Sequence, residues 1–335
     1  MSKIINVKGR QVFDSRGNPT VEAEIILQDE TIGTSIVPSG ASTGRYEAHE
    51  LRDKNKDYLN KSVFDAVKNI NNKISKVLQN IDSTNQSEVD KILISLDGTE
   101  NKSNLGANAI LAVSIANLKA AAKFSKKEIY EYIKSENKTL CMPYPLMNII
   151  NGGAHANNGL RIQEFMIRPD GAKNFSDAVR MCYLVIQNLK KIINSKGLST
   201  SVGDEGGFAP MINKNENALT LIVNAIKKSG FINGKHISIC LDVAANELIK
   251  NKKYSIHSKK FISVDKSIKN YLKLINKYKI KSIEDPFGEN DWTAWTKFLS
   301  KTRKVQIVGD DLFVTNLERL KVGFLNLSAN SILIK

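Results

Sequence analysis

The sequence predicts an α/β protein in which an α+β domain precedes a run of βα units. Apolar residues alternate with polar ones near the start of the chain, and from Pro143 onward short apolar runs alternate with helical stretches. The first pattern is typical of a half-buried antiparallel sheet, and the second is typical of a parallel sheet with crossover helices. A chain of 335 residues suffices for about two such domains.

The first domain opens with the sheet and continues with helices. After a turn at 17–19, the apolar residues from Val21 to Leu27 occur at every second position, and a polar loop of small residues follows at 39–44. Helical periodicity then predicts three amphipathic helices. Their apolar positions are Val63, Val67, Ile70, Ile74 and Val77 in the first, Val89 to Leu96 in the second, and Ala109 to Ala122 in the third. We place this α+β domain at residues 1–134.

Four apolar runs of the second domain, residues 140–335, end on a residue that can carry chemistry. The runs 237–241, 281–283, 305–309 and 331–334 close on Asp242, Glu284, Asp310 and Lys335. The intervals of 42, 26 and 25 residues each accommodate a strand, a crossover helix and loops. The C-terminal ends of successive strands in a βα barrel point into one mouth, so we expect three carboxylates and an amine to converge there.

The nature of these residues favours a magnesium site. A single acidic residue after a strand is often only a helix cap, so no one of them identifies a site alone. Three acidic residues at the spacing of successive βα units, followed by a lysine in the same register, favour a common site. Hard oxygen ligands and a chain with only four histidines favour magnesium or a similar cation over zinc.

Composition excludes several other classes of function. The formal charge is +15, but the lysines are spread along the whole chain, so we expect no nucleic-acid partner. No stretch approaches the ~20 apolar residues of a membrane span, and the N-terminus lacks a signal-peptide pattern; we therefore expect a cytoplasmic protein. Cys141, Cys182 and Cys240 lie far apart in apolar runs, which predicts buried reduced thiols.

Eight ordered segments of the chain resemble enolase, and the resemblance covers essentially all 335 residues. The segments are Asp14-Ser-Arg-Gly-Asn-Pro-Thr20, Pro38-Ser-Gly-Ala-Ser-Thr-Gly44, Asp97-Gly-Thr-Glu-Asn-Lys102, Asn148-Ile-Ile-Asn-Gly-Gly153, Gln163-Glu-Phe-Met-Ile167, Val202-Gly-Asp-Glu-Gly-Gly207, Ser282-Ile-Glu-Asp285 and Gly309-Asp-Asp-Leu-Phe-Val-Thr-Asn316. The resemblance implies an α+β cap domain before an enolase-type TIM barrel. It also implies the magnesium-dependent, reversible dehydration of 2-phospho-D-glycerate to phosphoenolpyruvate, in a cytoplasmic homodimer; relatives also occur at the cell surface or secreted.

The resemblance also implies a role for each matching residue. Asp242, Glu284 and Asp310 are similar to the ligands of a tightly bound Mg²⁺, and Ser42 to a ligand of a second Mg²⁺ that joins after substrate. Lys335 resembles the base that removes the C2 proton. Glu205 resembles the acid that helps the C3 hydroxyl to leave, with Glu164 beside it. The implied substrate-binding set comprises His155, Gln163, Glu164, Glu284, Asp310 and Lys335.

The reaction explains why these residue types are required. Removing a proton next to an ionised carboxylate creates a second negative charge, which cations must stabilise. A lysine base must be neutral at working pH, and nearby cations promote that state. The paired glycines at 206–207 permit a tight backbone turn beside a ligand.

Two departures from the family pattern leave alternatives open. The segment 241–248 reads Leu-Asp-Val-Ala-Ala-Asn-Glu-Leu, where the family usually has cysteine or a small residue, then serine, and an aromatic after the glutamate. A complete βα barrel takes about 250 residues, whereas 140–335 offers about 195, so we expect a C-terminally truncated barrel without its last strands. One alternative is a catalytically inactive remnant or a surface or binding protein. The other is a related enzyme acting on a different carboxylate substrate, which the loop at 39–44 and the Asp-Glu-Gly-Gly segment make less favoured.

Overall fold

The computed structural model describes residues 2–40, 44–54, 56–134, 139–302 and 304–335. The chain divides into two compact units. The first comprises Met1–Thr43 and Glu47–Leu140, and the second comprises Gly44–Tyr46 and Cys141–Lys335. No helix in the described ranges combines the length and the apolar character needed to cross a bilayer.

The sheet of the first unit has three antiparallel strands in the order β1-β2-β3. They are β1 (Ile4–Phe13), β2 (Pro19–Leu27) and β3 (Ile32–Val37). In β2 the alternate residues Val21, Ala23, Ile25 and Leu27 are fully buried. The half-buried antiparallel sheet predicted from the alternation is therefore confirmed.

Helices cover one face of this sheet. They are α1 (Phe64–Asn69), a π-helical segment (Ile70–Ile74), α2 (Ser75–Leu78), α3 (Gln86–Asp97), α4 (Ala107–Phe124) and α5 (Ile129–Tyr132). Helix α4 lies so close to β3 that a Cβ atom at Gly33 would be 2.2 Å from the carbonyl oxygen of Ala116. Only glycine permits this approach.

The π-helical segment corrects one detail of the predicted helix pattern. A π turn contains one more residue than an α turn, so it shifts the following residues around the helix. Leu78 is consequently buried, whereas Val77, which the 3.6-residue period had placed on the buried face, is 37% exposed. The Asn71 side chain within the π-helical segment accepts from Gly9 N–H at 2.7 Å and donates to Gly9 C=O at 3.1 Å.

The second unit is built on an open sheet of six strands in the order β11-β10-β9-β6-β5-β4. These are β4 (Met147–Asn151), β5 (Glu164–Arg168), β6 (Ser238–Asp242), β9 (Ile280–Glu284), β10 (Gln306–Gly309) and β11 (Ser331–Ile332), and a separate hairpin comprises β7 (Ile249–Lys250) and β8 (Lys253–Tyr254). Strands β6, β9, β10 and β11 are parallel, as predicted. The expectation of a parallel sheet from Pro143 onward is wrong for β5, which is antiparallel to both β4 and β6. The 12 residues between β4 and β5 contain a short 3₁₀ turn and no crossover helix.

Helices connect the later strands and pack on the sheet. They are α6 (Phe175–Ser195), α7 (Asn215–Lys228), α8 (Val264–Tyr278), α9 (Trp292–Lys301) and α10 (Leu317–Leu325), with short 3₁₀ turns at Gly153–His155 and Ala245–Leu248. The three parallel crossovers contain α8, α9 and α10, which is the repeated βα pattern that the sequence predicted. Together with the open sheet, this is an incomplete TIM-type barrel, and it follows the α+β domain in the sequence.

The cysteines agree only in part with the prediction of buried thiols. All three are free, and Cys182 and Cys240 are buried. Burial raises the pKa of the Cys182 thiol to about 11, so it stays protonated at neutral pH. The prediction is wrong for Cys141, which is exposed together with its apolar neighbours Leu140 and Met142. An apolar neighbourhood in sequence does not ensure burial when the segment lies outside a helix or strand.

Candidate functional site

The register of the second sheet brings acidic residues to one edge. Glu164 pairs with Asp242, and Asp242 pairs with Glu284. Because β5 runs opposite to its neighbours, its first residue, Glu164, lies at the edge where β6 and β9 end. Glu284 pairs with Val308, so Asp310 follows two residues beyond that row. The convergence of strand ends that the sequence predicted is therefore present.

Asp242 is buried at the end of β6 and is held by two donors. Ala244 N–H donates to Oδ1 at 2.9 Å, and Gln163 Nε2 donates to Oδ2 at 3.0 Å. The Ala244 backbone adopts a left-handed conformation with φ +46°. Burial, with further contributions from Asp310 and Asp311, nevertheless raises the pKa of Asp242 to about 7. These donors orient the carboxylate without compensating its loss of solvation.

Glu284 and Asp285, at the end of β9, face like charges. Burial, followed by the repulsion of Asp242, raises the pKa of Glu284 to about 10. The same two causes raise the pKa of Asp285 well above its ordinary value. Asp285 accepts the N–H groups of Asp310 at 3.1 Å and of Asp311 at 2.8 Å, so it fixes the turn that follows β10.

Among the residues that the structure describes, two groups of side chains are compact enough to hold a metal ion. In the first, Asp285, Asp310 and Asp311 each offer one oxygen atom, and these atoms lie within 4.8 Å of one another. Sequence reasoning assigned only Asp310 of this group. Asp285 and Asp311 each directly follow a predicted ligand. The adjacent acids Glu284-Asp285 and Asp310-Asp311 were therefore the sequence signal that could have identified them.

The predicted ligands Asp242, Glu284 and Asp310 lie on successive strand ends and interact electrostatically. The charge of Asp310 contributes to raising the pKa of both Asp242 and Glu284. Within the described ranges, however, these three do not form one of the groups whose oxygen atoms all lie within 4.8 Å of one another. The structure thus places Asp310 in the compact group, with Asp242 and Glu284 beside it in the sheet.

Lys335 brings its amine to the same edge. Its Nζ atom lies 2.8 Å from Asp310 Oδ1, and both side chains are about one quarter exposed. The Lys335 backbone N–H donates to Thr315 Oγ1 at 3.1 Å, which ties the segment after β11 to the turn after β10. The predicted amine therefore lies in direct contact with a predicted ligand.

The second compact group comprises His155, Glu164 and Glu205. His155 is buried in a 3₁₀ turn. Its Nδ1 atom lies 3.9 Å from Glu164 Oε1 and has no hydrogen-bond partner among the described residues. Burial, followed by the charges of Asp242 and Glu205, raises the pKa of Glu164 to about 7. Glu164 therefore exchanges a proton near neutral pH.

Glycines allow the turn that carries Glu205 to approach the sheet. Gly206 has φ +79°, a left-handed conformation. A Cβ atom at Gly207 would be 2.3 Å from Asn151 Oδ1, at the end of β4. Glycine at both positions is therefore required by the backbone, as the sequence suggested. Ser42, the predicted ligand of a second Mg²⁺, lies outside the described residues.

The chemistry of these groups fits a hard divalent cation. The compact group around Asp310 offers three carboxylate oxygens and no sulfur, the donor type that magnesium and similar ions prefer. Burial and mutual repulsion disfavour the ionised state of Asp242, Glu284 and Asp285, and a bound cation would reverse that effect. The buried Nδ1 of His155 offers a further unsatisfied polar atom for a ligand.

Two family models match the chain on either side of residue 135. The model described as the enolase N-terminal domain matches residues 4–133, and the one described as the enolase C-terminal TIM barrel domain matches residues 139–335. The chain belongs to the enolase family. Enolases are carbon–oxygen lyases of the phosphopyruvate hydratase type, so the chain belongs to that enzyme class by family.

Curated enolases align with the entire chain. The enolase of Pelagibacter ubique is 68% identical over 336 residues, which comprise all of this chain and 80% of that protein. The enolase of Corynebacterium kroppenstedtii is 49% identical over 338 residues, with 79% of its length covered. The chain thus spans about four fifths of each of these relatives.

Proposed function

We propose that this enolase family member catalyses the reversible, Mg²⁺-dependent dehydration of 2-phospho-D-glycerate to phosphoenolpyruvate. The observation that carries the proposal is the edge of the second sheet, where Asp242 and Glu284 lie in register and Lys335 Nζ lies 2.8 Å from Asp310. Acids on neighbouring strand ends next to an amine supply both a cation site and a base. The identity of 68% to an enolase supports the same reaction.

Asp242, Glu284 and Asp310 would hold the tighter Mg²⁺, with Asp285 and Asp311 orienting the turn that carries Asp310. When bound, Mg²⁺ would supply the positive charge that stabilises the dianion left by proton removal. Ser42 is retained as the proposed ligand of a second Mg²⁺. Gln163, which donates to Asp242, would help to hold both that carboxylate and the substrate.

Lys335 is the proposed base. Its neutral amine would take the C2 proton of the substrate. The contact between Lys335 and Asp310 brings this amine to the proposed metal ligands. On the other side of the sheet edge, Glu205 would donate a proton to the departing C3 hydroxyl. Glu164, with a pKa of about 7, is suited to share that proton at neutral pH. His155 lies in the same group and is proposed to contact substrate.

The test is formation of phosphoenolpyruvate by the purified 335-residue chain, followed by ultraviolet absorbance. We expect turnover with Mg²⁺, none with EDTA, and a loss of about 10²- to 10⁴-fold in Lys335→Met, the typical contribution of a general base. Lys321→Met is the matched control, because Lys321 is exposed on α10 and pairs only with exposed Glu318 among the described ion pairs. Absence of Mg²⁺-dependent turnover would contradict the proposal and favour the remnant or binding protein considered from the sequence.

We also propose the homodimer and the cytoplasmic location that the family resemblance implies. Sedimentation equilibrium of the purified chain tests the dimer. A single monomeric species at micromolar concentration would contradict it.

A further inference from the structure

The side chain of Asn246, in the 3₁₀ turn after β6, contacts the segments that follow two other strands. Its Nδ2 donates to Asp311 Oδ2 at 2.9 Å and to Glu289 Oε2 at 3.3 Å. Its Oδ1 accepts the backbone N–H of Glu289 at 2.9 Å. One amide therefore joins the segment after β6 to the segments after β9 and β10.

The contacts use the full donor capacity of the amide. An Asn side chain has two N–H donors and one carbonyl acceptor, and here each donor faces a carboxylate while the acceptor faces an N–H. Rotating the amide by 180° would place its oxygen against two carboxylates, so the surroundings define its orientation. Without these donors, the half-buried carboxylates of Asp311 and Glu289 would each lose a hydrogen bond, and the amide would no longer offset the repulsion between them.

Arg319 adds a second tie between the same segments. Its guanidinium donates to the backbone carbonyl of Glu289 and, at 2.6 Å, to that of Leu312. The guanidinium also lies 5.1 Å from the ring centre of Trp292. The segment after β9 and the turn after β10 are thus held together from two sides.

We propose that Asn246 is a positioning residue that fixes the turn bearing Asp310 by bridging Asp311 and Glu289. This inference rests on the proposed function, because Asp310 is there a metal ligand. Asp310 and Asp311 donate their N–H groups to the same Asp285 carboxylate, so holding Asp311 also holds its neighbour. A serine hydroxyl at this position would have one donor and could bridge to only one carboxylate, whereas the amide of Asn246 bridges to both.

Amide hydrogen exchange of the full chain in EDTA tests the bridge without any metal. We expect Asn246→Ala to speed exchange at Asp310 and Asp311 by about tenfold, although their N–H groups bond to Asp285 and not to Asn246. Asn246→Ser should give a smaller change in the same direction. Asn290→Ala is the matched control, because Asn290 is exposed and directly follows Glu289. Unchanged exchange at Asp310 and Asp311 in both Asn246 variants would overturn the proposal.

Calorimetric titration with Mg²⁺ tests whether the bridge made by Asn246 affects Mg²⁺ binding at the proposed site. We expect Asn246→Ala to weaken Mg²⁺ binding by about tenfold, the lower end of the effect of losing an outer-shell partner. The effect should shrink in a Glu289→Ala background, because one carboxylate that Asn246 bridges is then missing. Equal effects in the two backgrounds would refute the bridge. If the unsubstituted chain binds no Mg²⁺, the proposed function fails, and hydrogen exchange alone decides the role of Asn246.

Discussion

The buried acids of the first unit and those at the edge of the second sheet have opposite surroundings. Asp97, at the end of α3, is almost fully buried but accepts N–H groups from Thr99 at 3.0 Å and from Leu105 at 2.7 Å. Burial alone would raise the pKa of Asp97, but the hydrogen bonds from Thr99 and Leu105 bring it below its ordinary value. Asp242 also has two donors, yet its burial, with further contributions from Asp310 and Asp311, raises its pKa to about 7.

The difference separates a structural acid from one suited to binding a cation. Asp53, like Asp97, is buried and accepts two backbone N–H groups, those of Phe64 and Asp65 at the start of α1. Donors of that kind stabilise the charge within the fold. At the sheet edge, burial and mutual repulsion disfavour the ionised state of Asp242, Glu284 and Asp285, and a bound cation would compensate that effect. Neutralising an acid should therefore have opposite effects on stability in the two regions.

The largest expected effect is on metal binding. Asp310→Asn should weaken Mg²⁺ affinity on the order of a hundredfold, because it removes a charged member of the compact oxygen group. Calorimetric titration measures the change, and Asp97→Asn serves as the matched acid-to-amide control. Equal affinity in the Asp310 variant and the unsubstituted chain would remove Asp310 from the metal site.

The next largest effect is on the stability of the first unit. Asp97→Asn should lower the free energy of unfolding by about 2 kcal/mol, because the new amide group would face the buried N–H of Leu105 or of Thr99. Urea unfolding followed by circular dichroism measures the loss. Asp57→Asn, at an exposed position, should leave stability within about 0.5 kcal/mol. A loss no larger than that of the control would contradict the distinction between the two kinds of acid.

A smaller effect of opposite sign is expected for Asp242→Asn in EDTA. The pKa of Asp242 is raised from 3.8 to about 7 in the folded protein, so its contribution to stability is complete below pH 4 and is lost as the pH rises through 7. At pH 8 the amide variant should be more stable than the unsubstituted chain, and at pH 4, where Asp242 is protonated in the folded protein, this difference should disappear. Urea unfolding at both values tests this, and lower stability of the variant at pH 8 would contradict it.

The smallest effect is expected for Glu205→Gln. The Glu205 side chain is exposed, so the change should alter the free energy of unfolding in EDTA by less than about 0.5 kcal/mol. Turnover should nevertheless fall, since Glu205 lies in the group with His155 and Glu164. Unfolding and activity measured on one preparation separate the two outcomes. Unchanged turnover would remove Glu205 from the proposed chemistry.

Local patterns in the sequence were sufficient for much of the fold. Alternation across β2 and the run before Asp242 each depend on neighbours close in sequence, and the strands lie where those patterns indicated. Two features were not accessible in this way. The direction of β5 depends on the short connection that precedes it, and the burial of Leu78 in place of Val77 depends on a π turn that accommodates Asn71 against Gly9.

The sequence by itself determined the family, the order of the strands that carry the acids, and the residues that end them. Only the tertiary structure decided which acids lie close together. Asp285 and Asp311 lie beside Asp310, and the Asn246 side chain donates to Asp311 and Glu289. The reason is physical. Periodicity reports which side of a strand or helix is buried, whereas distances between side chains on different strands depend on register, twist and loop packing, which are set by contacts distant in sequence.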